Sequence, residues 1–136
     1  MNLMTLITDN ISEILILLIE FTQARHRILV KNITNVYVPG FVPKELGVDE
    51  FSNLLNNAID EHIRTSRLVL YDTENIKFGI GGSLDATPID DEYSKTILID
   101  NQDEYLELQI NKLWENSLNQ RVAAELLKKQ QVFSSY

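Results

Sequence analysis

The chain has 136 residues, no cysteine and a formal net charge of −8. A chain of this length forms one domain, or one small domain with long arms. The negative charge repels phosphate backbones and gains nothing at an anionic membrane surface, which argues against nucleic acid and membrane partners, and the lack of cysteine excludes disulfides and thiolate chemistry.

The first predicted element is a long helix over residues 8–35. Its apolar residues recur at intervals of three and four and form two adjacent seams. Two adjacent seams are wider than a two-stranded coiled coil needs, so this helix is expected to touch more than one neighbour. The residues expected to pack along it are Ile14, Leu17, Leu18, Phe21 and Ile28.

The apolar run within this helix does not have the pattern of a membrane span or of a secretory signal. Residues 14–19 lie between Glu13 and Glu20, and a spanning helix needs about 20 apolar residues. Residues 1–13 carry no Lys or Arg, and no small-residue cleavage site follows. The sequence therefore predicts neither membrane insertion nor a cleaved signal peptide.

The helix is expected to leave through a turn at Pro39 and Gly40. Proline disfavours helical backbone at Val38, and glycine accepts the positive φ of a sharp turn. A second, shorter helix is predicted over residues 49–66, with Asp49 as its N-cap.

Residues 67–101 are predicted to form an irregular insert with short strands. Runs of β-branched and aromatic residues at 68–71, 76–78 and 96–99 favour strands, and the glycines and proline between them favour turns. The glycine-rich run 79–83 lacks the Lys-Ser/Thr of a phosphate-binding loop, so a turn is the favoured interpretation.

A second long helix is predicted over residues 102–132. Acidic side chains near its start and lysines near its end suit the helix dipole. The residues expected to pack along it are Leu106, Ile110, Leu113, Trp114 and Leu118.

These elements predict a mainly α fold. Two long terminal helices form a coiled-coil-like antiparallel pair, accompanied by a short third helix and a small irregular or β insert in the middle. The expected segments are an N-terminal helix (1–36), a turn with a short helix (37–66), the insert (67–101) and a C-terminal helix (102–136).

No pattern in the sequence predicts a catalytic, cofactor or metal site. His26 and His62 have no Cys or His at ligand spacing, so structural or surface roles are favoured. The acidic residues between 85 and 103 do not fit an EF-hand loop, and a solvated acidic face is favoured over a calcium site. Arg25 and Arg27 are expected to pair with acidic residues of a neighbouring helix rather than to bind an anion.

The exit of the first helix carries a motif that resembles the N-terminal signature of flagellar axial proteins, which usually reads N-I-A-N-A-D/N-T-P-G-Y/F. The matching residues are Asn32, Ile33, Asn35, Pro39, Gly40 and Phe41, and the departures are Thr34, Val36, Tyr37 and Val38. Near the C-terminus, residues 115–118 (Glu-Asn-Ser-Leu) resemble the family's E-N-A-L. With these matches and its short length, the sequence resembles the FlgB type of flagellar basal-body rod protein.

The resemblance implies a non-enzymatic structural subunit of the bacterial flagellar proximal rod, in the periplasmic part of the basal body. It implies that terminal helices pack against further copies, other rod subunits and the MS-ring/rod adaptor protein, so that the rod transmits torque and continues the export channel. It also implies passage through the flagellar type III export gate without a cleaved signal. Phe51 and Leu55 resemble the F-x-x-x-Φ segment that this gate recognises, with plain core packing as the alternative.

Three alternatives stay open. The companion proximal-rod protein of the FlgC type shares the N-terminal motif. A helical coiled-coil adaptor or filament subunit outside the flagellum would carry the same wide apolar stripes. An enzyme or small-ligand binder built around residues 71–99 would be fully folded as a dilute monomer, whereas a subunit awaiting its neighbours would gain helix on assembly.

Overall fold

A computed structural model of the protein describes residues 3–79 and 83–134. The chain is mainly helical, at 69%, with a long C-terminal helix packed on the N-terminal helix and small antiparallel strand pairs in the middle. The predicted fold class is confirmed. Ile80, Gly81 and Gly82 of the predicted glycine-rich turn lie outside the described residues.

The chain forms a long helical hairpin, with a short helix and small strands between its two long helices. The helices are α1 (Leu3–Thr34), α2 (Val48–Thr65), α3 (Glu92–Asp100) and α4 (Gln102–Ser134). The strands are β1 (Lys44–Glu45), β2 (Ile76–Phe78), β3 (Leu84–Ala86) and β4 (Ile89–Asp90). β2 pairs with β3, and β1 pairs with β4, both antiparallel. The second pair brings the start of α3 back to the exit of α1.

α1 and α4 lie side by side in opposite directions. Asn116 of α4 is bonded to Thr22 of α1, and Gln109 of α4 to Asn32 of α1, so residue numbers rise along one helix as they fall along the other. At 1.5 Å per residue, the 32 residues of α1 are about 48 Å long. The antiparallel pair of terminal helices is therefore present within one chain.

α1 ends at Thr34, within one residue of the predicted end and before Pro39. The backbone N–H of Asn35 still makes an ordinary helical bond to the carbonyl of Lys31, at 3.1 Å, and its side chain donates to the same oxygen at 2.8 Å. The next N–H, of Val36, bonds to Ile33 three residues back and so leaves the α-helical pattern. Gly40 has φ of +75°, as predicted for the exit turn. The stop thus begins at Asn35, and Gly40 completes the change of direction.

The hydrophobic core lies between α1, α2 and the β2–β3 pair. Phe21 and Phe51 stack at its centre, with ring centroids 4.1 Å apart and planes 1° from parallel. The buried members are Leu17, Phe21, Leu46, Phe51, Leu54 and Ile76. Partly buried members, including Leu55, Phe78 and Leu84, come from the same elements and the segments that join them. Of the described residues, none from α3 or α4 belongs to this cluster.

Three local predictions in the middle of the chain are wrong. Residues 96–99 form part of α3 rather than a strand, because Asp91 caps this helix by accepting from the N–H of Ser94 at 3.1 Å, which outweighs the β propensity of the run. Residues 68–71 form no described strand. The N-cap of α2 is Gly47, without a side-chain bond, and Asp49 lies in its first turn instead. No helix among the described residues has the length and apolarity to span a membrane.

Candidate assembly surface and the polar network beneath it

Asn32 of the helix-exit motif is the point where α1, β1 and α4 meet. Its side-chain amide donates to the carbonyl of Lys44 at 2.8 Å, and its side-chain oxygen accepts from the N–H of Lys44 at 3.0 Å. The amide therefore pairs with β1 as a neighbouring strand would. It also donates to Oε1 of Gln109 at 3.0 Å, and only 1% of the residue is exposed. These bonds fix the exit strand and the last helix to one residue of α1.

The bonds continue from Gln109 into the start of α3. Nε2 of Gln109 donates to Oγ of Ser94 at 2.9 Å, and that hydroxyl donates to Oδ2 of Asp91 at 2.6 Å. Burial raises the pKa of Asp91, but the bonds from Ser94 and the charge of Lys112 outweigh it and hold the pKa below its ordinary value. Asp91 is therefore a charged group at neutral pH within the interface.

Lys112 joins the two carboxylates of this interface. Its Nζ lies 3.0 Å from Oδ2 of Asp91 and 3.3 Å from Oε2 of Glu45. Arg25 of α1 makes a bidentate pair with Glu45, with both bonds at 3.0 Å. The side chains of Arg25, Glu45, Asp91 and Lys112 are between 9 and 22% exposed, so solvent screens them only partly. The resulting polar network comprises Arg25, Asn32, Glu45, Asp91, Ser94, Gln109 and Lys112.

Two further side chains of α4 bind main-chain oxygens of α1. The hydroxyl of Tyr105 donates to the carbonyl of Asn32, and the amide of Asn116 donates to the carbonyl of Thr22, both at 2.8 Å. Burial, and then the charge of Asp91, raises the pKa of Tyr105 to about 12, so its hydroxyl stays a donor. Because helical carbonyls are fixed in space, these two bonds specify the register of the helix pair.

The opposite side of α4 carries an exposed apolar row. Its five residues are spaced four apart, which forms a ridge inclined to the helix axis. We refer to them as the outer row: Ile110 (42% exposed), Trp114 (75%), Leu118 (61%), Val122 (49%) and Leu126 (46%). Exposed apolar rows of this kind mark surfaces that bind another protein.

The predicted packing residues of α1 and α4 differ in outcome. Leu17 and Phe21 are buried in the core, at 0 and 3% exposure. Half-buried positions are Ile14, Leu18, Ile28, Leu106 and Leu113. Ile110, Trp114 and Leu118 are exposed in the single chain, at 42, 75 and 61%. Packing of these three against another subunit stays a prediction.

α4 presents a face to α1 that mixes polar and apolar side chains. Its four buried residues are Tyr105, Gln109, Asn116 and Ala123. Their spacing is helical, but Gln109 and Asn116 are polar, so a search for apolar periodicity finds only part of this face. Among the described residues, every buried side-chain nitrogen and oxygen has a hydrogen-bond partner.

The remaining motif residues lie on the surface around the exit turn. Ile33, Asn35 and Phe41 are half-buried, whereas Pro39 and Gly40 are exposed. A groove of about 330 Å³ separates this turn from α3 and the start of α4. The structure therefore divides the motif into a buried anchor, Asn32, and an exposed turn.

Phe51 and Leu55 lie in the hydrophobic core. Phe51 is 3% exposed and stacks on Phe21, and Leu55 packs against the same cluster. In the folded chain they therefore serve the core, which was the alternative to an export segment. Recognition by an export gate stays a prediction, because the gate would meet these side chains before folding.

The sequence pointed to only part of the polar network. Arg25 was expected to pair with an acidic residue of a helix, and its partner Glu45 lies on β1 instead. Asp91 was assigned to a solvated acidic face, which is wrong, because it caps α3 and contacts Lys112. The sequence predictions do not include Lys112, Ser94 or Gln109. A run of Asp-x-x-Ser, residues 91–94, was the available signal for a helix start at this point.

The described residues contain no group of His, Cys, Asp and Glu able to hold a metal ion. Fold and surface together define a mainly helical protein with an internally bonded antiparallel helix pair and an uncovered apolar row. Comparison with protein-family models, curated proteins and solved structures finds no match.

Proposed function

We propose that the chain is a non-enzymatic structural subunit of the bacterial flagellar proximal rod, of the FlgB type, that assembles through its terminal helices. The observation that carries the proposal is the outer row on the terminal helix α4, where Trp114 is 75% and Leu118 61% exposed. Each apolar side chain of this size gains roughly 1.5–3 kcal/mol on full burial. A second helix placed against the row would therefore offset much of the entropy lost on association.

The geometry of the row favours a repeating contact. A ridge of i and i+4 residues packs into the matching groove of another helix at a crossing angle of about −50°. When the partner surface lies elsewhere on the neighbouring subunit, the contact is heterologous, and a rotation that does not close extends it into a filament. Further copies, other rod subunits and the MS-ring/rod adaptor protein are the proposed partners, at the periplasmic basal body.

The motif at the end of α1 supports the proposal in a second way. Asn32 is buried and ties α1, β1 and α4 together, so the exposed turn at Pro39 and Gly40 is held in a defined position next to the helix pair. A rod subunit needs its contact surfaces in fixed relative positions. The motif matches the axial-protein signature at both the anchor and the turn.

The test replaces two residues of the outer row in the bacterium that encodes the chain. Trp114→Ser with Leu118→Ser should leave the thermal unfolding of the purified protein nearly unchanged, because both side chains are already exposed. The same variant should abolish swimming and leave basal bodies without a proximal rod in electron cryotomography. Ile63→Ser is the matched control, because Ile63 is 76% exposed on α2, away from the row.

Normal swimming and complete rods in the outer-row variant would contradict assembly through α4. Intact flagella in a strain that lacks the gene would contradict the flagellar proposal altogether. Loss of some other assembly in that strain would instead favour a helical adaptor or filament subunit outside the flagellum.

A further inference from the structure

The hydrophobic core and the helix α4 are on different sides of α1. The core cluster draws its side chains from α1, α2, the β2–β3 pair and the segments that join them, and no described residue of 92–134 belongs to it. α1, α2 and the β2–β3 pair therefore share an apolar contact that does not require α3 or α4.

Segment 92–134 is attached by buried polar contacts together with apolar ones. Of the buried residues on α4, Gln109 and Asn116 are polar, Tyr105 combines a buried aromatic ring with a bonded hydroxyl, and Ala123 is apolar. Half-buried leucines of α4 add apolar contact. The chain enters this segment through β4, which has two residues, both exposed.

Polar and apolar contacts respond differently when a whole segment separates. A hydrogen bond broken on both sides is replaced by bonds to water, so the net loss is small. Apolar surface has no such replacement. For the same extent of contact, separation of 92–134 as a unit is therefore less costly than separation of α2 or the β2–β3 pair from α1.

We propose that residues 92–134, α3 and α4 together, form a releasable arm that detaches from α1 as a unit while α1, α2 and the β2–β3 pair keep their core. Lys112 is the lock of this arm, because it is the arm's cation and lies between Glu45 of β1 and Asp91, the residue just before the arm. Release breaks the contacts that Thr22, Asn32 and Glu45 make with α4, while the pair between Arg25 and Glu45 stays with α1 and β1.

The inference goes beyond the proposed function, because it concerns the free protein and does not depend on rod assembly. A released arm uncovers the α4-facing side of α1, including Thr22, Leu29 and Asn32, which are at most 3% exposed while the arm is docked. The outer row stays exposed in both states. Arm release thus adds a second contact surface to one that is already available.

The test is amide hydrogen exchange of the full chain, measured in wild type at a series of low denaturant concentrations. For amides of 102–134, the free energy of the opening that permits exchange should fall only slightly with denaturant concentration, because release of the arm exposes little surface. For amides of 48–65 and 76–86, this free energy should fall more steeply, because their exchange requires a more extensive unfolding. A single opening with the same denaturant dependence for both groups would overturn the proposal without any variant.

Lys112→Met then tests the lock. Exchange in 102–134 should become roughly tenfold faster or more, because the two carboxylates lose their shared cation, while exchange in 48–65 stays nearly unchanged. Lys129→Met is the matched control, since it removes the same charge from an exposed position on the same helix, and it should change neither group. Equal acceleration of both groups by Lys112→Met would show that the arm is not separable.

Discussion

The two sides of α1 are held by different kinds of contact. Towards α2, the helix buries Leu17 and Phe21 in an apolar core, with Phe21 stacked on Phe51. Towards α4 and β1, it contributes Arg25, Asn32 and the carbonyl of Thr22 to hydrogen bonds and ion pairs. The apolar side provides burial energy, which is insensitive to the direction of approach. The polar side adds directional bonds, which select one register of α4.

The largest effect should come from placing a charge on the apolar side. Leu17→Asp buries a carboxylate in a residue that is 0% exposed, and should cost several kcal/mol of unfolding free energy. Leu113→Asp should cost much less, because Leu113 is half-buried and a carboxylate there can reach water. Urea unfolding followed by circular dichroism measures both. Equal losses of unfolding free energy would mean that the contact between α1 and α4 excludes water as completely as the core does.

A smaller but still large effect is expected at the centre of the polar side. Asn32→Ala removes the partner of the N–H and C=O of Lys44 and of Oε1 of Gln109, so the unfolding free energy should fall by roughly 2–4 kcal/mol. Asn35→Ala is the control. The side chain of Asn35 bonds only to groups near the end of α1, so this substitution should cost at most about 1 kcal/mol. Similar losses of unfolding free energy in the two variants would show that Asn32 does not anchor β1 and α4 to α1.

The polar side should also weaken in acid, with a definite sign. The pKa of Asp91 is lowered in the folded chain from its ordinary value of 3.8, so its contribution to stability is fully present above about pH 4 and is lost as the pH falls through the folded pKa. Asp91→Asn should therefore lower the unfolding free energy at neutral pH, and the difference from wild type should shrink towards pH 3. A difference that stays constant over this range would show that the charge of Asp91 contributes nothing.

The smallest effect is expected at the exit turn, which lies outside both contacts. Gly40→Ala meets no atom within 4 Å, so its cost comes only from the positive φ of +75° and should be about 1 kcal/mol. Combining it with Pro39→Ala should favour a longer α1 and, if the chain builds a rod, should impair assembly more than stability. A double variant with an unchanged melting temperature and normal rods would show that the turn tolerates redirection.

Much of the apolar side could be predicted from the sequence, and little of the polar side. Leu17, Phe21 and Phe51 were identified because apolar residues at helical spacing face a core. Gln109 and Asn116 follow the same spacing, but polar residues at such spacing are usually solvated, so nothing marked them as buried. Their partners are backbone carbonyls and side chains distant in sequence, which become neighbours only once the helices pair.

The outer row and α3 illustrate two further limits of sequence reasoning. Trp114 and Leu118 were correctly recognised as apolar residues on a helix, but periodicity alone does not say which partner covers them. The run 96–99 has the composition of a strand, and the cap at Asp91 decides for a helix. In both cases the deciding factor is a contact, within or beyond the chain, rather than a property of the segment itself.

Trp114 is the one tryptophan of the protein, and its side chain is exposed on the outer row. Its intrinsic fluorescence therefore reports the solvent around α4 and responds little to changes in the core around Phe21 and Phe51. Thermal unfolding followed by tryptophan emission should show little change while circular dichroism records the loss of helix. Coverage of α4 by a partner should instead shift the emission to shorter wavelength, which gives the native chain a built-in optical signal for its own docking.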